Sequence, residues 1–83
     1  MEKVSVEAME LSFKVLETIL VYKEYKSKEE VMKVAETMKN VALENSKYPK
    51  TVKEAYIEAY SKLKELPFDD MMEIKEIITS DED

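Results

Sequence analysis

The chain has 83 residues, 45% apolar and 39% charged, a formal net charge of −6, and no glycine, cysteine or histidine. That composition suits one small helix-rich domain, which at this length buries about 60–65% of its unfolded surface. It excludes disulfides and thiolate chemistry, Ser–His–acid and Cys–His catalysis, structural zinc sites, and the glycine-rich loops that cradle phosphates or dinucleotides.

The stretch Val4–Tyr25 is the most apolar part of the chain. On a helix at 100° per residue, Val6, Met9, Phe13, Leu16 and Leu20 form one stripe. Val4, Ala8, Leu11, Val15, Tyr22 and Tyr25 form a second stripe roughly 150° away, with Ile19 between the two. The combined apolar arc is on the order of 200°, against the little over 100° that an ordinary surface helix needs. A first helix is therefore expected over residues 5–26, with Ser5 as N-cap, and it has to be covered on two sides.

Ser27 followed by Glu30 spells a capping box and opens a second helix over residues 28–46. Val31, Val34, Ala35, Met38, Val41 and Ala42 share its apolar face, and the two alanines there let another helix come close. Pro49 ends this segment by disfavouring helix at Tyr48. Thr51 with Glu54 reads as another capping box, so a third helix is expected over 51–66, with Val52, Ala55, Tyr56, Ala59, Tyr60, Leu63 and Leu66 on one face and Pro67 as its stop. Beyond Pro67, Asp70 with Glu73 predicts a short fourth helix over 69–79, carrying Met71, Ile74 and Ile78 inward, followed by an acidic tail at 80–83 that frays.

Connections this short predict an all-α fold, a compact antiparallel three-helix bundle with a short fourth C-terminal helix, helix 1 being its central member. Met32, Met72, Val21, Leu43, Ile57 and Ile77 fall off the main stripe of their helices and are candidates for a second contact. One such residue exposed means little, whereas a contiguous patch marks an interface.

Charge is unevenly placed. Residues 67–83 hold one lysine and seven acids, so the whole net charge sits there. All 13 basic residues are lysine, so the planar fork that reads guanine and phosphate is missing. Two lysine- and tyrosine-containing stretches, around Tyr22–Lys28 and Lys47–Lys53, are expected at opposite ends of the bundle and not in one patch. Lysine near a helix C-terminus also complements the macrodipole, so nucleic-acid binding is disfavoured. Asp69, Asp70 and Glu73 read as a solvated helix N-terminus and not as a cation site. No cofactor, metal or small-molecule substrate is expected. The longest apolar run, Ile19–Tyr22, is too short for a membrane span, and MEK leads into no signal-peptide core, which points to a cytoplasmic protein.

The double stripe sets the functional expectation: a small non-catalytic helical interaction or regulatory protein, whose partner is a second copy of itself. The interface would draw on Met9, Phe13, Leu16 and Leu20 or on Leu11, Val15 and Tyr22, unless the other helices cover both stripes and leave a monomer. An alternative is an acidic inhibitor or decoy, of the type carried by phages and mobile elements, in which Asp69, Asp70, Glu73, Glu76, Asp81, Glu82 and Asp83 occupy a basic site on a nucleic-acid enzyme. A nucleic-acid-binding helical module is the third class.

Overall fold

The computed structural model of the chain describes residues 5–80 and forms them into four α-helices: α1 (Val6–Val21), α2 (Lys28–Glu44), α3 (Lys50–Glu65) and α4 (Phe68–Ser80). Among the described residues there is no strand. The helices pack as a bundle with extents of 31 × 25 × 25 Å and a radius of gyration of 12.8 Å. The tail at 81–83 and Val4 lie outside the described residues.

Local signals account for the helix starts. The Ser5 hydroxyl accepts the Ala8 N–H at 3.1 Å, and the Ser27 hydroxyl accepts the Glu30 N–H at 3.4 Å. The Glu30 carboxylate in turn accepts the Lys26 N–H at 2.6 Å, which closes the box one residue earlier than the standard pattern. α3 departs from expectation. Its N-cap is Pro49, whose carbonyl accepts from Val52 and Lys53, so Thr51 lies inside the first turn and caps nothing. Asn45 prepares this entry, because its side chain accepts the Lys47 N–H and its carbonyl the Tyr48 N–H. α4 likewise begins one residue after Pro67, whose carbonyl accepts the Met71 N–H at 3.1 Å. Asp70 is therefore a first-turn acid that favours the helix through the dipole and not a cap.

The largest correction concerns the end of α1, at Val21 instead of Lys26. Tyr25 is the physical reason. Its ring leaves the helical path, is buried in the core, and its hydroxyl donates to the Ile19 carbonyl in the last turn of α1. The Ile19 carbonyl also accepts the Tyr22 N–H at 3.3 Å, so the phenol is its second donor and uses the lone pair that the ending helix leaves open. α2 also stops two residues early, at Glu44, because Asn45 turns the chain toward Pro49.

α1 touches all three other helices, α3 most extensively and its neighbour in sequence, α2, least. Its buried residues are Ala8, Ser12, Leu16, Ile19 and Leu20. They draw on both stripes, Leu16 and Leu20 from the first and Ala8 from the second, together with Ser12 and Ile19 between them. Ser12 occupies the centre of that seam at 0% exposure, and its hydroxyl donates to the Met9 carbonyl at 2.6 Å, so the buried oxygen is satisfied. Small residues lie in the buried faces of the two helices that touch most extensively: Ala8 and Ser12 on α1, Ala55 and Ala59 on α3, all fully buried. They let the two backbones approach, as Ala35 and Ala42 do on α2. The central cluster adds Val31, Leu63 and Met71 to Leu16, Ile19, Leu20 and Tyr25.

α4 is fixed against α1 by Met71 and by one cation. The Lys75 ammonium donates to the Lys23 carbonyl at 2.5 Å, lies 3.4 Å from the Glu24 carboxylate, and sits 5.5 Å from the Tyr25 ring centroid. Its side chain is only 12% exposed. α4, which carries four acids and a single lysine, is thus tied to the α1–α2 loop by that lysine.

Candidate interaction surface

α3 covers the midline of α1, so the two stripes become the two flanks of one buried seam. The flanks have different fates. On the first, Leu16 and Leu20 are buried beneath α3 and α4, Met9 is half-buried, and Val6 and Phe13 stay exposed at 76% and 53%. On the second, Ala8 is buried, Leu11 and Val15 are half-buried, and Tyr22, beyond the helix end, is exposed at 64%. Leu16 and Leu20 therefore belong to the protein's own core, whereas Phe13 and Tyr22 remain presentable. Val15 packs against the core cluster and offers little to a partner.

The first flank borders a groove of about 460 Å³ with a floor of Leu16, Leu66 and Ile74 and a mouth formed by Phe13, Glu17, Lys62 and Glu65. The Lys62 ammonium lies 5.3 Å from the Phe13 ring centroid and 3.5 Å from Glu58. Ile77, one turn beyond Ile74 on α4, is 57% exposed. Apolar floor, exposed aromatic lip and charges of both signs thus meet within a few turns of helix.

The second flank borders a longer groove between α1 and α2, which opens because those helices barely touch. It has two basins, of about 460 and about 310 Å³, that share Thr37 and Met38. Tyr22 and Lys23 stand at one end, and Tyr48, stacked on Tyr56 at 6.4 Å, stands at the other. Burial pushes the Tyr56 phenol above its ordinary value, with Tyr48 adding to the effect. Burial does the same for Tyr25, with Tyr22 the lesser cause.

On α4 the exposed acids Asp69, Glu73 and Glu76 share the outer face, with Asp70 to one side. None forms an ion pair among the described residues. Nor do any three acids there stand close enough to hold a metal ion. Asp81, Glu82 and Asp83 lie outside the described residues. Of the residues off the main stripes, Val21, Leu43, Ile57 and Ile77 are exposed, while Met32 and Met72 pack against the core. Helical periodicity places Leu66 on the apolar stripe of the third helix, but it gives Lys62, Thr37 and Tyr48 no place beside a groove, which each reaches only through tertiary packing. Among the described residues no helix is long and apolar enough to cross a membrane. No family model matches the chain, and comparisons with curated proteins and with solved structures also return no match.

Proposed function

We propose that this chain is a small non-catalytic interaction protein of the cytoplasm that pairs with a second copy of itself through the Phe13 flank of α1. The observation that carries this reading is the Phe13 ring, half out of the protein at the lip of an apolar groove. A two-fold interface brings a patch against itself, so it needs a projection and a recess on the same surface. Phe13 and Ile77 supply the projection, and the floor of Leu16, Leu66 and Ile74 supplies the recess. It also needs self-complementary charge, and here Lys62 lies between Glu17 and Glu65 at the mouth. The reading assigns no cofactor, substrate or nucleic acid.

The flanks exist because helices fold back on one another. The meeting of Lys28, at the start of α2, with the Lys64 carbonyl near the end of α3, at 2.8 Å, supports an antiparallel run of those two.

Sedimentation equilibrium over a wide concentration range tests the reading. Wild type is expected to be dimeric, Phe13→Glu a folded monomer, and Val41→Glu, on the other groove, still dimeric. A wild type that stays monomeric at the highest concentration refutes it. The unpaired acids on the outer face of α4 support a second reading, the acidic decoy. Neutralising Asp69, Glu73 and Glu76 together should abolish salt-sensitive retention on a polylysine surface, and unchanged retention would sink it.

A further inference from the structure

We infer that the groove between α1 and α2 is a docking site for an amphipathic helix of another protein, one with acidic residues in its first turn and apolar anchors about one turn apart. The site is separate from the self-association surface, on the other flank of α1, and does not depend on it.

Shape points to a helix. Along α2 the groove runs from Glu30 to Ala42, a distance of ~18 Å at 1.5 Å per residue, or about three turns of an occupant lying alongside. A cleft between two helices accepts a third by the packing of ridges into grooves. Both basins are open along their length, whereas a small-molecule site encloses most of its ligand.

The walls are more apolar than their composition suggests. Thr18 and Thr37 face each other across the middle, and both hydroxyls are turned back onto their own helices. Thr18 donates to the Lys14 carbonyl at 2.8 Å and Thr37 to the Lys33 carbonyl at 2.9 Å. With Met38 on the floor and Val41 60% exposed, the centre offers an apolar strip that nothing in the described chain covers.

Charge sets the orientation. Three charged side chains line the groove: Lys23, Lys33 and Glu30. The Glu30 carboxylate is engaged with the Lys26 N–H at the start of α2. Lys23 and Lys33 form no ion pair among the described residues. Lys23, which lies 5.9 Å from the Tyr25 ring centroid, and Lys33 together outweigh Glu30, so the net charge at the Tyr22 end is positive, and it fits acids in the partner's first turn, where the helix dipole also favours them. The two lysine- and tyrosine-containing stretches, separate in sequence, become the ends of one groove.

Two stapled peptides of about 14 residues provide the probe. Both carry leucine, isoleucine and methionine at successive turns, one with glutamates and the other with lysines in its first turn. Binding is measured by fluorescence polarisation and mapped by amide shifts, on wild type and on Phe13→Glu, so that self-association cannot mimic or mask it. The acidic peptide is expected to bind roughly tenfold tighter than its twin and to shift Thr18, Thr37 and Val41. Lys23→Glu with Lys33→Glu should reverse the preference, and Val41→Asp should weaken both peptides about tenfold. All three positions are exposed, and circular dichroism checks that the variants stay helical. Equal binding of the twins, no binding at millimolar peptide, or shifts outside the groove would overturn the proposal. So would tighter binding of oligo-dT in the same groove, which would make it a single-strand site.

Discussion

Replacing Phe13 with alanine separates self-association from folding. A phenylalanine presents on the order of 200 Å² of surface, and with 53% exposed about 100 Å² remains for a partner to cover. At ~25 cal/mol/Å² that is about 2.5 kcal/mol per copy. Two-fold symmetry uses the ring twice, giving about 5 kcal/mol for the dimer, or between three and four orders of magnitude in its dissociation constant. The folded monomer loses much less. The covered half of the ring and the Lys62 contact at 5.3 Å together contribute about 1–3 kcal/mol, a fraction of the 5–15 kcal/mol typical of a domain. Leu16→Ala is the contrasting change. Leu16 is almost wholly buried inside one chain, so its truncation costs about 2–5 kcal/mol of folding stability. Sedimentation equilibrium reads the dimer constant and urea unfolding reads stability. A Phe13→Ala protein whose dimer constant stays within threefold of wild type refutes the reasoning, because the ring would then lie outside the interface.

The Lys75 anchor yields a second expectation. Lys75→Met keeps the stem but loses a charge-assisted bond to the Lys23 carbonyl, so it should cost about 1.5–3 kcal/mol in urea unfolding, with amide exchange in α4 rising first. Glu24→Ala should leave the midpoint unchanged, since that carboxylate is 97% exposed; equal losses would mean that the ion pair, and not the backbone bond, holds α4. At the α1–α3 seam, Ser12→Ala should change stability by less than about 1 kcal/mol, whereas Ser12→Leu should over-pack the contact and cost about 3 kcal/mol. A thermal melt showing Ser12→Leu as stable as wild type would mean that the helices are not in close contact there. Tyr25 and Tyr56 carry raised phenol values, so the neutral form is the one the fold favours. Their stabilisation is complete below about pH 10, the unfolded value, and falls as pH rises through the higher folded value. Tyr25→Phe should lower stability by about 1 kcal/mol at pH 8 yet show a shallower loss up to pH 11, and an unchanged alkaline slope would disprove the linkage.

Much of this molecule is legible in short range. Ser5 and Ser27 mark where α1 and α2 begin, and the two prolines mark that α2 and α3 have ended, because capping and the fixed φ of proline act within a turn. The periodicity of α1 likewise requires burial on more than one side, which contact with all three other helices provides. Short-range rules also overreach. Thr51 and Asp70 fit a cap pattern, but Pro49 and Pro67 offer carbonyls one turn ahead of the new N–H groups and start both helices earlier. The acidic residues of α4 keep its outer face polar by pattern alone, and that face is exposed.

Other features depend on which helices become neighbours, and no single segment encodes that. Two apolar stripes predict two covered faces, yet burial on α1 is deepest across the arc that joins them, from Ala8 through Ser12 and Ile19 to Leu20, and α3, the helix it touches most extensively, buries Ala55 and Ala59. Close backbone approach there gathers more contact than either bulky stripe alone would. The stripes are left as flanks, one partly roofed by α4 and the other facing α2 across an open groove. Tyr25 has the sequence setting of a helix residue, yet its ring is buried in the core and its hydroxyl donates back to the Ile19 carbonyl once the chain has left the helix. Lys75 resembles every other surface lysine until α4 lies beside the α1–α2 loop. Helix positions follow from hydrogen bonds and periodicity within a few residues. Which apolar surface stays uncovered, and so where a partner could bind, follows from competition among segments tens of residues apart.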